Sequence, residues 1–514
     1  MTPVTSKPRG KHEIVATDAN RPANAISPTS AHWKFTLALA LIIAGFVILQ
    51  LFLPLRTAVQ IGADEGFELA KATLCLKGYR LYAEVWNDQP PLHTWLITQI
   101  LKHVSASILG PRLVTSIFTA ILLASIFFIA ARIHGLPVAA VTAALLIASP
   151  GFVELSSSCM LEIPALALAV AALCVLYVVR QTKWRLAEIL AGILLGLAFQ
   201  IKLVNAILLP LAALIAWQRC RNAASPRRRG ATTLLVLAGS LAFSFVVSDY
   251  AVDGGAYLLH FKQSWTSHFA ATKSFEYGSP DEHPFDWSVP LKNWDTTLPA
   301  VLGVVFLARQ WRKTPPAIIP LAWLALTLIV FAIHKPWWPY YYIHIAIPLC
   351  WSAALGIEAI HRRLRSRRNI GLGMLFGVYG ICALGWLGTR VYLQVANIRN
   401  SPQTFSSPVL NVIGRLKPFA KFIYCDEPIY SFYAGVPMPP DLAVMPLKRL
   451  WSGEMTNARL TAEMSEIKPE IIFLKNDARD IPFGELIVNE YRLVYEDAEH
   501  RLYTRKTLAR NAGF

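Results

Sequence analysis

Runs of apolar residues long enough to cross a bilayer constrain this chain more than any motif does. They fall at about 33–54, 112–132, 136–150, 162–180, 186–200, 203–217, 231–250, 297–309, 316–333, 340–358 and 370–391. A helix needs about 20 apolar residues to cross the ~30 Å hydrocarbon layer, and inside lipid only helices and closed barrels satisfy their own backbone. The sequence therefore predicts a mainly α, polytopic membrane protein with about eleven transmembrane helices, several of them short. Composition agrees: 54% of the 514 residues are hydrophobic and only 16% are charged, against about a quarter charged in soluble domains.

A formal charge of +17 would suit a nucleic-acid binder if it covered one face. Instead the cations cluster between apolar runs, at Arg180, Lys183 and Arg185, at 219–229, at Arg309, Arg312 and Lys313, and at 362–368. That is a topology pattern, with no nucleic-acid partner implied. Residues 91–110, PLHTWLITQILKHVSASILG, carry His93, Thr98, Gln99, Lys102 and His103 along their length and read as a helix lying in the interface. All the basic clusters then face the cytoplasm together with the N-terminus, as the positive-inside rule requires; a span at 91–110 would send every one of them outside. The polar stretch 1–32 reads as a disordered cytoplasmic tail, and 33–54 as a retained signal anchor. The implied location is the cytoplasmic (inner) membrane, with membrane lipids around the bundle.

On this topology 33–395 is a transmembrane domain with a first outer loop at 56–111 and a second at 251–296. Residues 396–514 have globular composition. Phe422-Ile-Tyr-Cys425 and Ile471-Ile-Phe-Leu474 read as buried strands, 492–505 as two strands around a DAEH turn, and Pro428 to Ala434 as a helix start. A small α/β extracytoplasmic domain is expected there. GILLG, 192–196, reads as a small-residue helix contact. The seven cysteines are scattered without C-x-x-C spacing, so neither a metal site nor a disulfide framework is indicated.

Several polar groups interrupt this pattern on the outer side. In GADEGFELAKATLCLKGYRLY, 62–82, Asp64 and Glu65 open an expected interfacial helix at 64–77, where acids also suit the helix dipole as a plain charged cap. The companion segment W86-N-D-Q-P-P-L92 is stiffened by two prolines. Glu162 sits at the mouth of a span, and Lys202 breaks an apolar stretch of about thirty residues; such groups either reach water or meet a partner. His334-Lys335-Pro-Trp-Trp-Pro-Tyr340-Tyr341-Tyr342 fits an aromatic belt, or a platform for a sugar ring beside a phosphate. No Walker loop, dinucleotide fingerprint or hydrolase elbow occurs in a suitable context.

Taken together, D64-E65-G66, K77-G78-Y-R-L-Y82 and D88-Q-P-P-L92 resemble the first outer loop of the polyprenyl-phosphate-sugar glycosyltransferases of the C superfamily. That superfamily includes the protein O-mannosyltransferases and the aminoarabinose transferases of lipid A. The resemblance continues through L161-E-I-P, G192-I-L-L-G-L-A-F-Q-I-K202 and Y340-Y-Y-I-H-I-A-I-P348, covering about 60–390 in order. It implies a polyprenyl-phosphate-linked sugar donor, a glycan, lipid or protein acceptor, and sugar transfer with inversion outside the membrane. By resemblance Asp64 is the general base, with Glu65 beside it as a second catalytic acid. Lys202, Lys335 and His334 would bind the donor phosphate, while Glu162, Tyr82, Asp88, Tyr341 and Tyr342 would contact sugar or acceptor. The family often places a lysine before the double proline and a basic residue three places after the catalytic Asp; Gln89 and Phe67 stand there instead. Phosphate contacts must then come from elsewhere. No cofactor is required, although Asp64 and Glu65 together could hold a divalent cation. A transporter or flippase of lipid or solute, and a non-catalytic scaffold on the same architecture, remain the competing readings at this point.

Overall fold

The computed structural model of the protein describes residues 28–104, 107–179, 185–221, 225–269, 277–310, 318–366, 370–476 and 481–514. The tail expected over 1–32 lies, up to residue 27, outside the described residues, as do Arg180, Lys183, Arg312, Lys313 and parts of the other basic clusters and of the second outer loop.

Every apolar run forms helix. From the N-terminus, α1 (Pro28–Leu51) is followed by two short helices, α2 (Glu65–Leu76) and α3 (Leu92–His103). The chain continues through α4 (Leu109–His134), α5 (Leu136–Ile147), α6 (Phe152–Ser157), α7 (Glu162–Val178), α8 (Leu186–Phe199), α9 (Leu209–Arg219) and α10 (Pro226–Asp253). After these come α11 (Ala256–Phe269), α12 (Ser288–Lys292), α13 (Trp294–Gln310), α14 (Ile319–Ile333), α15 (Tyr342–Ser366) and α16 (Ile370–Asn400). By length and composition, five of the described helices are able to cross a membrane and five shorter ones are apolar. Within 91–110 the helix α3 has 12 residues, roughly 18 Å of rise. Within 251–296, α10 runs further than expected, to Asp253, and among the described residues α11 and α12 follow it.

Helices α4, α5, α7, α8, α14 and α15 meet in one apolar core around Phe127, Leu166, Trp323 and Trp351. The GILLG contact forms as expected. A Cβ on Gly192 or Gly196 would come within 2.6 Å of the Leu237 or Leu241 carbonyl of α10, so only glycine allows these backbones to touch.

Beyond Asn400, α17 (Pro408–Leu416), β1 (Ile423–Cys425), α18 (Ile429–Ala434), α19 (Leu447–Trp451), α20 (Asn457–Ile467), β2 (Ile471–Lys475), α21 (Gly484–Glu490), β3 (Tyr491–Glu496), β4 (His500–Arg505) and α22 (Lys506–Asn511) build the small α/β unit. All four expected strands are present. The sheet order is β1-β2-β4-β3, with β1 and β2 parallel and the other pairs antiparallel.

This unit does not stand apart. Leu69, Leu74, Val85, Trp86, Ile97 and Cys159 share one core with Ile413, Ile423, Ile429, Leu442 and Phe473. The joint is sewn by polar contacts as well: Trp86 Nε1 donates to Glu454 at 2.7 Å, Tyr433 donates to the Ala58 carbonyl at 2.9 Å, and Val59 N donates to Pro402 O at 2.8 Å. Gly66 has to be glycine here, because its Cβ would lie 2.8 Å from the Ile429 nitrogen.

Candidate active site

Asp64 stands at the N-cap of α2, but with φ −95° and ψ 2° its carboxylate makes no capping bond. A hydrogen-bonded cap is therefore absent at this residue, which would need extended dihedrals to make one. The side chain is half-buried and lines an open cavity of about 1490 Å³ together with Lys71, Asp88, Glu154, Lys202 and Lys448. Burial first, then Glu162 and Glu68, raise Asp64 above the ordinary carboxylate value, while Lys202 and Lys448 pull the other way.

Glu65 corrects an expectation. It points away from the cavity and is fully buried. Arg112 of α4 grips it through two bonds, Nε to Oε1 at 2.8 Å and Nη2 to Oε2 at 2.7 Å. The backbone N–H groups of Ile61 and Cys159, each at 3.0 Å, complete its shell. Arg112 in turn ties down the Leu55 and Ala58 carbonyls. Both Glu65 oxygens are thus taken up by Arg112 and the backbone, which fixes the start of α2 beside Asp64 and leaves neither oxygen open to the cavity. A divalent cation on the Asp64–Glu65 pair does not fit, since both Glu65 oxygens are committed. Among the described residues no group of three His, Cys, Asp or Glu side chains forms a metal cluster.

Glu162 and Lys202, distant in sequence, form a buried ion pair. Lys202 sits where the chain breaks between α8 and α9, its own φ of −154° and ψ of 120° being extended. Its ammonium lies 4.8 Å from the Tyr340 ring centre and 5.4 Å from that of Tyr341, a cation–π arrangement. The bland reading of Lys202, a lysine reaching for water, is not what the fold does with it. Tyr340 also approaches Asp64. Tyr341, Tyr342 and His334 line the same cavity. Lys335 lines it too, but its half-exposed ammonium is shared with Asp281 at 3.0 Å.

Asp88 reaches the cavity from the first outer loop and is ion-paired with Lys448, a residue of α19 in the C-terminal unit. Burial pushes Lys448 down to about 7, against the pull of Asp64. Behind Asp64, Lys71 pairs with Glu68 at 2.8 Å and donates to Asn87 at 3.1 Å; His93 approaches Glu68 at 3.1 Å. Burial works to raise Glu68, yet Lys71 and His93 outweigh it and hold the acid at about 2. Tyr82 departs from expectation: it does not line the cavity. Its hydroxyl donates to the Gln89 carbonyl at 2.7 Å and its ring packs at 5.7 Å against Tyr257, so it supports the loop from behind.

Among the cavity residues not singled out in the sequence are Lys71, Glu154 and Lys448. Lys71 looked like an ordinary helix lysine, although it falls one turn beyond Phe67, where the family's cation is absent. Glu154 lies in a short segment without a motif; burial, then Glu65 and Glu162, push it up to about 7. Lys448 sits in the last fifth of the chain, where nothing local marks it.

Residues 88–270 match the dolichyl-phosphate-mannose-protein mannosyltransferase family. That match begins at Asp88, so Asp64 precedes it. A comparison with curated proteins finds no match. Among solved structures, ArnT from Cupriavidus metallidurans bound to undecaprenyl phosphate superposes with a TM-score of 0.59 at 15% identity, covering 93% of this chain and 99% of that one. Its apo state gives 0.61 at 14% identity over the same shares. The fold is thus like that of ArnT over nearly the whole chain. The archaeal oligosaccharyltransferase AglB from Archaeoglobus fulgidus, in complex with an inhibitory peptide and a dolichol-phosphate, is similar at a TM-score of 0.57 and 12% identity, covering 90% of this chain and 73% of that one. The resemblance of this chain to polyprenyl-phosphate-dependent transferases of the C superfamily thus holds both in a segment of sequence and across nearly the whole fold.

Proposed function

We propose that the protein transfers a sugar from a polyprenyl-phosphate donor to a hydroxyl of a lipid, polysaccharide or protein acceptor. The reaction takes place at the outer face of the inner membrane and inverts the anomeric carbon. The observation that carries this reading is the meeting, in one open cavity, of a proton-hungry Asp64 with Lys71, Lys202, Lys448 and a wall of aromatic rings. The acceptor oxygen attacks the anomeric carbon as Asp64 takes its proton; the bond from that carbon to the phosphate oxygen breaks, and the lipid phosphate leaves. A base of raised proton affinity suits the first event, and fixed cations suit the charge that develops on the leaving group.

Lys202 is our first choice for the phosphate, with Glu162 keeping it charged and oriented. Lys71 and Lys448 take the places left vacant by Phe67 and Gln89. Tyr341, Tyr342 and Asp88 face the space where a sugar would sit, with His334 and Lys335 at its rim. In this reading about eleven helices span, several of them short, the segment 91–110 lies in the interface, the N-terminus is cytoplasmic, and residues 396–514 form an extracytoplasmic domain.

The test uses purified protein with labelled lipid-linked sugars, comparing wild type with Asp64→Asn. We expect transfer to fall by roughly 10²–10⁴-fold with donor binding retained. Undiminished transfer by the variant ends the assignment of the base, and a donor that the wild type never consumes ends the assignment of the activity.

A further inference from the structure

At the end of α10, on the side of the first outer loop away from the cavity, four buried oxygen atoms have no hydrogen-bond partner: Gln200 Oε1, Asp249 Oδ1, Asp253 Oδ2 and the Tyr257 hydroxyl. Gln200, Asp249 and Tyr257 are wholly buried. Asp249 and Asp253 are one turn apart, on the same helix face. Their other oxygens are already satisfied. Asp249 Oδ2 accepts from Leu258 N at 3.2 Å, and Asp253 Oδ1 from Gly255 N at 3.1 Å and Ala256 N at 3.0 Å. The turn through Gly254 and Gly255, with φ of 71° and 85°, carries Tyr257 back beside Asp249. Gln200 joins from the break between α8 and α9, its side-chain amide donating to Phe245 O at 2.8 Å and also toward Asp249, while its own carbonyl oxygen stays without a donor.

A buried acceptor left without a donor is costly, and a buried carboxylate more so unless paired or metal-bound. Here the unmet atoms are all oxygen, two of them carboxylate, gathered from three segments of chain. Among the described residues no Lys or Arg pairs with either acid; His260 is the basic neighbour of Asp253, and its ring is stacked on Tyr82 at 6.1 Å. An all-oxygen set with two negative charges is the chemistry of a hard divalent cation.

We propose that this corner binds such a cation, with Asp249 and Asp253 as charged ligands and Tyr257 and Gln200 completing the shell directly or through water. The site is separate from Asp64 and does not depend on the proposed reaction. Its consequence is mechanical. Tyr82 lies against Tyr257 and holds the Gln89 carbonyl, so the cation fastens the end of α10 to the segment carrying Asp88 and the double proline.

The experiment uses the full chain in detergent, with terbium as a luminescent probe excited through nearby tyrosines, and with calcium as competitor. We expect emission that calcium displaces, a melting temperature raised by calcium over chelator, and at least a tenfold loss of affinity in Asp253→Asn, which keeps the turn-capping oxygen. Asp249→Asn provides a second variant should the first fold poorly. Terbium affinity and calcium-dependent melting equal in wild type and both variants would overturn the site. So would variants that melt higher than wild type in chelator and calcium alike, because that result means two acids merely sharing a proton.

Discussion

The membrane bundle and the joint between the first outer loop and the C-terminal unit are both well packed, but they are built by different means. The bundle core comes from apolar runs meeting their neighbours, such as α8 on α10 through Gly192 and Gly196. The joint brings together residues hundreds of positions apart, such as Trp86 with Glu454 and Asp88 with Lys448, around a shared core. The first arrangement follows from local hydropathy. The second exists only once the whole chain has folded, and the cavity around Asp64 opens at its edge. The lesson is that this site is framed by the part of the fold that local sequence encodes least.

The largest expected effect strikes the joint as a whole. Ending the chain after Asn400 strips the partner surface from Leu69, Val85 and Trp86, so the first outer loop should lose its fold and sugar transfer should vanish while the bundle persists. Limited proteolysis within 56–111, alongside an activity assay, checks this. If the truncated chain remains active, the joint is dispensable and the comparison fails.

Next is the anchor. Glu65→Gln leaves Arg112 buried beside an uncharged partner, and breaking such a pair costs about 3–5 kcal/mol. A clear fall in melting temperature is expected, in contrast to Asp64→Asn, which removes chemistry without that loss. Two adjacent acids with opposite phenotypes would sharpen the division between frame and site.

Lys448→Gln should weaken donor use, read as roughly a tenfold rise in the KM for lipid phosphate, with Lys448→Arg recovering part of it. This follows from the loss of one charge-assisted contact of about 1.5–3 kcal/mol. The smallest effect is in pH. Asp64 acts as base only when ionised, and its proton affinity is raised, so activity should decline on acidification at a pH above that of an ordinary aspartate. An acid limb at or below the normal carboxylate range would count against Asp64 as the base. Glu68, held at about 2 by Lys71 and His93, works in the opposite direction. Its folded value lies below its unfolded one, so its contribution to stability is present above about 4.5 and lost only as pH falls toward 2. Melting curves between those limits separate it from the activity limb.

Much of this was legible in the sequence because membrane helices announce themselves. The helices, the four C-terminal strands and the convergence of Asp64, Glu162 and Lys202 could all be read from apolar runs and from polar residues that interrupt them. The roles of Glu65 and Tyr82 could not, because adjacent acids look alike until one meets Arg112, and a loop tyrosine looks like a ligand contact until its ring meets Tyr257. Lys448 was invisible for a third reason: a lysine in a segment of globular composition carries no sign of the space it faces.

The pairing of Asp88 with Lys448 has a consequence for the order in which a newly made chain becomes competent. A nascent polypeptide can insert every apolar helix and expose its first acidic loop long before residue 448 has left the ribosome. Until that lysine arrives, Asp88 has no counterion from the domain that has yet to be made. The rim of the cavity is thus closed late in synthesis, only after residue 448 has been made and has joined the fold.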